Sequence, residues 1–257
     1  DAGQKTGEAL RKYAIECSIN KVYSSEMLDY LTDESVQIMG GYGYIQENPV
    51  ESAYRDSRIN RIWEGTNEIN RLLIVDMLMR AAMKGELPLL EEIKKMAGEL
   101  LGFRPQMSEE EGILEKEQRM VGMAKKTALL AAGAATQKHM EKLGNEQEVV
   151  ALISDMIIEI FAMESALLRT LKKVQKEGEE QSRINVAATR VYINDAFPRM
   201  ELMAKQIFAA ISEGEELRTQ LMGLKKLARY TPINAIALRR DIAESIIPVA
   251  RYHMTRI

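Results

Sequence analysis

The sequence predicts an all-α protein made of helical bundles. Three observations carry that expectation. Apolar residues recur near a 3.6-residue spacing over long runs, as at Ile15, Ile19, Val22, Tyr23, Met27 and Leu31. Breakers are sparse, with 6 Pro and 16 Gly in 257 residues. The balance of 46% hydrophobic to 28% charged residues is that of a soluble, mostly helical chain.

The elements follow in order. Residues 7–39, with Leu10 and the positions above, then Val36 and Met39, form a first helix that Gly40-Gly41 ends. Asn48-Pro49 opens a short helix to about Asp56, because Asn caps and Pro suits the first helical position. Ile59 to Glu64 is too short and mixed to assign. Thr66 caps a helix to about Met83. Gly85 and Pro88 mark a joint. Residues 89–101 are amphipathic (Leu89, Leu90, Ile93, Met96, Leu100, Leu101), and Gly102-Phe103-Arg104-Pro105 breaks them. Ser108 with Glu111 reads as a capping box opening a helix to Leu143. Gly144-Asn145 closes it. Residues 147–176, about 183–212, 215–229 and 233–246 read as further helices, separated by Gly178, Gly214 and Pro232. Val149–Phe161 is apolar on more than one face and should be buried. Antiparallel helices with short joints pack as bundles. The domain boundary is expected at residue 83, giving segments 1–83 and 84–257.

Composition excludes several classes of function. A net charge of −3 argues against general nucleic-acid binding. The single Cys17 leaves no internal disulfide, and His139 and His253 sit in no ligand-spaced cluster, so no metal site is expected. No signal peptide and no membrane-spanning run is seen. The chain begins Asp1-Ala2-Gly3, which reads either as a trimmed leader or as a piece of a longer protein. The 16 Met read as core filling, with an adaptable binding groove as the alternative. The 89–101 helix carries Glu91, Glu92 and Glu99 against Lys94 and Lys95, so bundle packing is expected over peripheral membrane contact.

The chemically informative stretch is 37–71. Gln37-Ile38-Met39-Gly40-Gly41-Tyr42-Gly43-Tyr44 exposes backbone that a ligand could approach, although plain helix termination explains a Gly pair equally well. These glycines follow a helix, which is not the strand–turn–helix order of a dinucleotide fingerprint. Tyr54-Arg55-Asp56 comes next, then Ile62-Trp63-Glu64-Gly65-Thr66-Asn67-Glu68-Ile69. Free N–H groups at the helix start can bind an anion or a polarised carbonyl. Glu64 beside Trp63 and Gly65 is open to partial desolvation, which would suit it to act as a base; a surface loop Glu is the plainer alternative.

Gln-x-x-Gly-Gly-x-Gly, then Arg-Asp, then aromatic-Glu-Gly-Thr-x-x-Ile resembles the C-terminal domain of the acyl-CoA dehydrogenases, without a gap between Gln37 and Ile69. The resemblance runs to about residue 83. The remaining helical region resembles, more loosely, the extra helical domain of the very-long-chain type. It implies that Glu64 is the catalytic base removing the α-proton of a fatty acyl-CoA while the β-hydride goes to FAD, giving a trans-2-enoyl-CoA. The backbone N–H of Glu64 and a flavin hydroxyl would hold the thioester carbonyl. Gly65 would lie beside the thioester. Thr66, Asn67 and Glu68 would lie near the flavin, and Gln37, Gly40 and Gly41 would reach the adenosine-diphosphate end of a neighbouring subunit's FAD. Glu at position 64 resembles the straight-chain enzymes, and Trp63 departs from the usual Tyr or Phe beside the substrate.

The resemblance further implies a homodimer, an electron-transfer flavoprotein or similar acceptor, participation in fatty acid β-oxidation, and a bacterial cytoplasmic or mitochondrial matrix location. The 257 residues by themselves are expected to bind no FAD and to have no dehydrogenase activity, since one edge of a flavin site is present. Two alternatives stand beside this reading: a helical assembly module of dehydrogenase ancestry, and an acyl-CoA oxidase.

Overall fold

The computed structural model describes residue 7, residues 12–102 and residues 112–251. Among them the regular structure is helical throughout, as expected. Asp1–Gly3, Leu10, Phe103–Pro105, the Ser108–Glu111 box and His253 lie outside the described residues. The chain divides into two compact units, Asp1–Pro88 with Gly144–Ser154, and Leu89–Leu143 with Asp155–Ile257.

In the first unit, α1 (Ala14–Met39) packs against α2 (Pro49–Ser57) and α3 (Asn67–Met83). Each boundary has a local cause. Gly40 ends α1 at φ 60°, its N–H bonded to the Gln37 carbonyl, and a 3-10 turn (Gly40–Tyr44) follows. The Asn48 side chain accepts the Val50 N–H at 3.0 Å to start α2, with Pro49 at the first position. The segment that resisted assignment, Ile59 to Glu64, begins within a 3-10 turn, Arg58–Arg61, and continues as turn and bend. Thr66 accepts the Ile69 N–H at 3.2 Å to start α3. Ile19, Val22, Ile74 and Val75 are buried, as are Val149, Val150 and Ile153 from the later segment.

In the second unit, α4 (Leu89–Gly102) lies against α5 (Glu115–His139), and α5 packs on α7 (Glu179–Ile211) and α8 (Gly214–Leu227). α7 also holds α9 (Ala235–Ile246). α6 (Gln147–Glu177) precedes α7 across Gly178, whose φ of 86° breaks the helix. The core gathers Met163, Ile193, Phe197, Met200, Ile207, Phe208, Leu224 and Leu227. The amphipathic α4 uses its apolar face within this unit: Met96 is buried and Ile93 sits over Gly133 of α5. No residue of 149–161 is exposed, as its all-round apolar pattern requires.

The structure departs from expectation at α5. The helix starts at Glu115 because Leu114 is left-handed at φ 61°, a conformation no right-handed α-helix contains, and its side chain is fully buried. It ends at His139, not Leu143, because Met140 is also at positive φ, and a 3-10 turn (Met140–Asn145) completes the run.

No described helix is long and apolar enough to cross a membrane. No group of three or more metal-ligating residues occurs among the described residues.

Candidate active site

Glu64 lies in the short connection between the 3-10 turn at Arg58–Arg61 and α3. The connection is tied to α1 at both ends. Arg61 pairs with Asp29 at 2.9 Å. The Gly65 carbonyl accepts Lys21 Nζ at 2.7 Å and Asn70 Nδ2 at 2.9 Å. Asn70 Nδ2 also donates to the Thr66 carbonyl at 3.0 Å.

These anchors matter because the loop backbone is unusual. Glu64 has φ 55° and Gly65 φ 78°. Glycine takes the left-handed region freely, but a residue with a Cβ pays roughly 1–2 kcal/mol for it. A non-glycine residue persists there when its surroundings over-determine it. Here the surroundings are the donors on Gly65 and the cap on α3.

Behind the loop is a buried polar network. Asn67, 1% exposed, accepts Lys21 Nζ at 2.7 Å through Oδ1. Its Nδ2 donates to Ser25 Oγ at 2.9 Å and to Glu26 Oε1 at 3.1 Å. Glu26 also pairs with Arg71 at 2.8 Å. The Asn67 side chain is thereby spent inside the chain, and its backbone N–H lies in the first turn of α3, where helix N–H groups have no intrahelical partner.

Trp63, Glu64, Gly65 and Glu68 face solvent, with Trp63 52% exposed. The desolvation expected for Glu64 is therefore not supplied by this chain. The Glu68 carboxyl is held below its ordinary 4.5, first by its own backbone N–H and then by the Thr66 hydroxyl, with Arg71 and Lys21 adding to the effect against a small desolvation. This is a carboxylate charge stabilised at a helix N-terminus.

Gln37, Gly40 and Gly41 form a separate exposed patch at the far end of α1. From Lys21, which touches Gly65, to Gly40 is about 28 Å at the helical rise of 1.5 Å per residue. The two groups of site residues are thus not brought together within one unit. Tyr42 and Tyr44 beside the glycines are strongly exposed, as is Ile38. A Cβ on Gly41 would meet nothing within 4 Å. No packing demand among the described residues explains Gly41, whereas a Cβ on Gly43 would lie 2.8 Å from the Val36 carbonyl oxygen. Gly43 is buried and serves close packing of the turn on α1, which corrects its reading as exposed backbone.

Sequence reasoning missed Lys21, Ser25, Glu26, Asn70 and Arg71. A faint signal exists: Asn67, Asn70 and Arg71 fall three and four apart on α3, and Lys21 and Ser25 four apart on α1, so each set shares one helix face.

Two family models, each described as "Acyl-CoA dehydrogenase, C-terminal domain", match residues 1–79 and 123–226. The chain is homologous to the acyl-CoA dehydrogenases, the very-long-chain type included. It is 46% identical over 250 residues to a Bacillus subtilis protein described as "Probable acyl-CoA dehydrogenase", covering 97% of this chain and 42% of that one. It is 33% identical over 183 residues to the human very long-chain specific acyl-CoA dehydrogenase, covering 64% of this chain and 28% of that enzyme. The crystal structure of a Bacillus anthracis acyl-CoA dehydrogenase complexed with FAD superposes with a TM-score of 0.90 at 46% identity, covering 94% of this chain and 41% of that one. The chain thus spans less than half the length of these relatives.

Proposed function

We propose that the protein containing this chain is an FAD-dependent acyl-CoA dehydrogenase that oxidises a fatty acyl-CoA to the trans-2-enoyl-CoA. The observation that carries this reading is Glu64, held on a left-handed backbone by a pinned glycine, in the motif that matches the family's base. FAD, when bound, supplies the hydride acceptor. Glu64 removes the α-proton, and its backbone N–H helps polarise the thioester carbonyl. Gly65 leaves room for the thioester, and Trp63 borders the acyl entrance.

The residues present fit such a cofactor. Gly41 is exposed and no described residue packs where its Cβ would be, as suits backbone that a pyrophosphate approaches. Gln37, Gly40 and Gly41 would hold the adenosine-diphosphate end, and the first turn of α3, with Thr66, Asn67 and Glu68, would face the flavin. The roughly 28 Å between the two patches supports their serving two different flavins in a homodimer. The exposed Ile38, Tyr42 and Tyr44 suit the same interface.

The matches at 1–79 and 123–226 support a division near residue 83, into a partial C-terminal domain and an added helical bundle. An electron-transfer flavoprotein or similar acceptor, a role in β-oxidation, and a bacterial cytoplasmic or mitochondrial matrix location follow from the resemblance. Trp63 and Glu64 are exposed among the described residues, and this chain alone is expected to hold no flavin. Purification of this chain and of the full-length protein tests the reading. The full-length protein is expected to carry stoichiometric FAD and to reduce an electron acceptor when given palmitoyl-CoA, and this chain alone to be colourless. A full-length protein without flavin or acyl-CoA-dependent reduction overturns it.

A further inference from the structure

We propose that Lys21 is a positioning residue for proton abstraction, acting on Glu64 through the Gly65 carbonyl; the proposal rests on the reading of Glu64 as the base. The chain of observations is short. Lys21 is a half-buried cation on α1, 44 residues away from the loop in sequence. It splits its ammonium between two acceptors, the Gly65 carbonyl and Asn67 Oδ1, both at 2.7 Å. Such charge-assisted bonds are shorter and about twice as strong as neutral ones. Its second acceptor, Asn67, is itself fixed by Ser25 and Glu26, so the ammonium has a defined seat.

The consequence lies in the backbone. A trans peptide points its C=O and N–H in opposite directions. Pinning the Gly65 carbonyl toward α1 therefore turns the Thr66 N–H away from α1. The carbonyl so pinned belongs to Gly65, at φ 78°, which directly follows Glu64 at φ 55°, so the anchor sits at the left-handed pair. Without the anchor, Glu64 gains by returning to a right-handed or extended conformation, and its carboxylate and backbone N–H move off line. Asn70 Nδ2 shares the carbonyl but belongs to α3 itself, so only Lys21 of these two donors ties the loop to α1. A displacement of about 1 Å in a reacting group can cost on the order of 100-fold in rate.

The test uses the full-length, FAD-loaded protein with Lys21→Met, Lys21→Arg and Glu64→Gln. Three quantities are read: wash-out of α-deuterium from a deuterated acyl-CoA, the kcat and KM of turnover, and the thermal midpoint. The expected result for Lys21→Met is α-exchange and kcat slowed about 10- to 100-fold, with KM changed less than about threefold. Lys21→Arg is expected to recover a large part of the loss. Unchanged exchange in a folded Lys21→Met protein overturns the proposal, as does a loss that appears in KM and thermal midpoint while kcat stays. If Lys21→Met fails to fold, Lys21→Gln carries the same expectation and the same overturning result. Glu64→Gln separates the two readings. If it abolishes exchange while Lys21→Met does not slow it, the positioning role alone fails; if Glu64→Gln exchanges normally, the base assignment fails and this proposal with it.

Discussion

Asn67 and Ser25 meet between α3 and α1, with Asn67 Nδ2 donating to Ser25 Oγ at 2.9 Å and both residues buried. Ser25 also bonds the Val22 carbonyl at 3.0 Å, so the pair fastens the start of α3 to the middle of α1. Because Asn67 serves Lys21, Ser25 and Glu26 together, Asn67→Ala removes a hydrogen bond from buried Ser25 and from the part-buried Lys21 and Glu26 at once. A loss of about 1–3 kcal/mol is expected, read as a lowered denaturation midpoint. Ser25→Ala should cost less, and the double variant less than the sum of the two. Additive losses would show that the two side chains do not act as a unit.

Glu68 gives the fold a pH dependence of known sign. Its folded pKa lies below its ordinary 4.5, so its charge stabilises the fold above that value. The contribution disappears as the pH falls through the lower, folded pKa. Glu68→Gln is therefore expected to lower the thermal midpoint at pH 7 and to converge with the parent protein as the pH drops well below 4.5. A gap that persists at acid pH would assign the loss to packing instead of charge.

Two glycines inside α5 should respond oppositely to alanine. A Cβ on Gly122 meets nothing within 4 Å, so Gly122→Ala gains helix propensity, about 0.5–1 kcal/mol. A Cβ on Gly133 would come 2.9 Å from Ile93 Cγ2, forcing α4 aside or Ile93 into another rotamer. Gly133→Ala is expected to lose that gain and to destabilise. Thermal midpoints of the two variants decide it; equal stabilisation would mean that α4 does not need the close approach.

The helical fold was legible where local chemistry acts alone. Asn48-Pro49, Thr66 and Gly178 each mark a helix boundary through side-chain capping or a positive φ, and each lies where the residue type placed it. The start of α5 was not legible, because Leu114 is left-handed and buried yet is not a residue type that favours that conformation. The site divides in the same way. Glu64, Gly65 and Thr66 stand out as a contiguous motif. Lys21 does not, because its contact with Gly65 joins residues 44 apart and neither residue type announces the other. Asn67 shows the remaining gap: the motif suggests an outward contact, while the fold turns its amide inward to Ser25 and Glu26.

The central claim is that Glu64 removes the α-proton. The direct measurement is acyl-CoA-dependent reduction of an electron acceptor by the full-length protein and by its Glu64→Gln variant, at equal FAD content and equal thermal midpoint. The account predicts a loss of at least about 100-fold in kcat for the variant. Turnover of Glu64→Gln at the parent rate would contradict it and would leave the strained Glu64-Gly65 loop without a catalytic purpose.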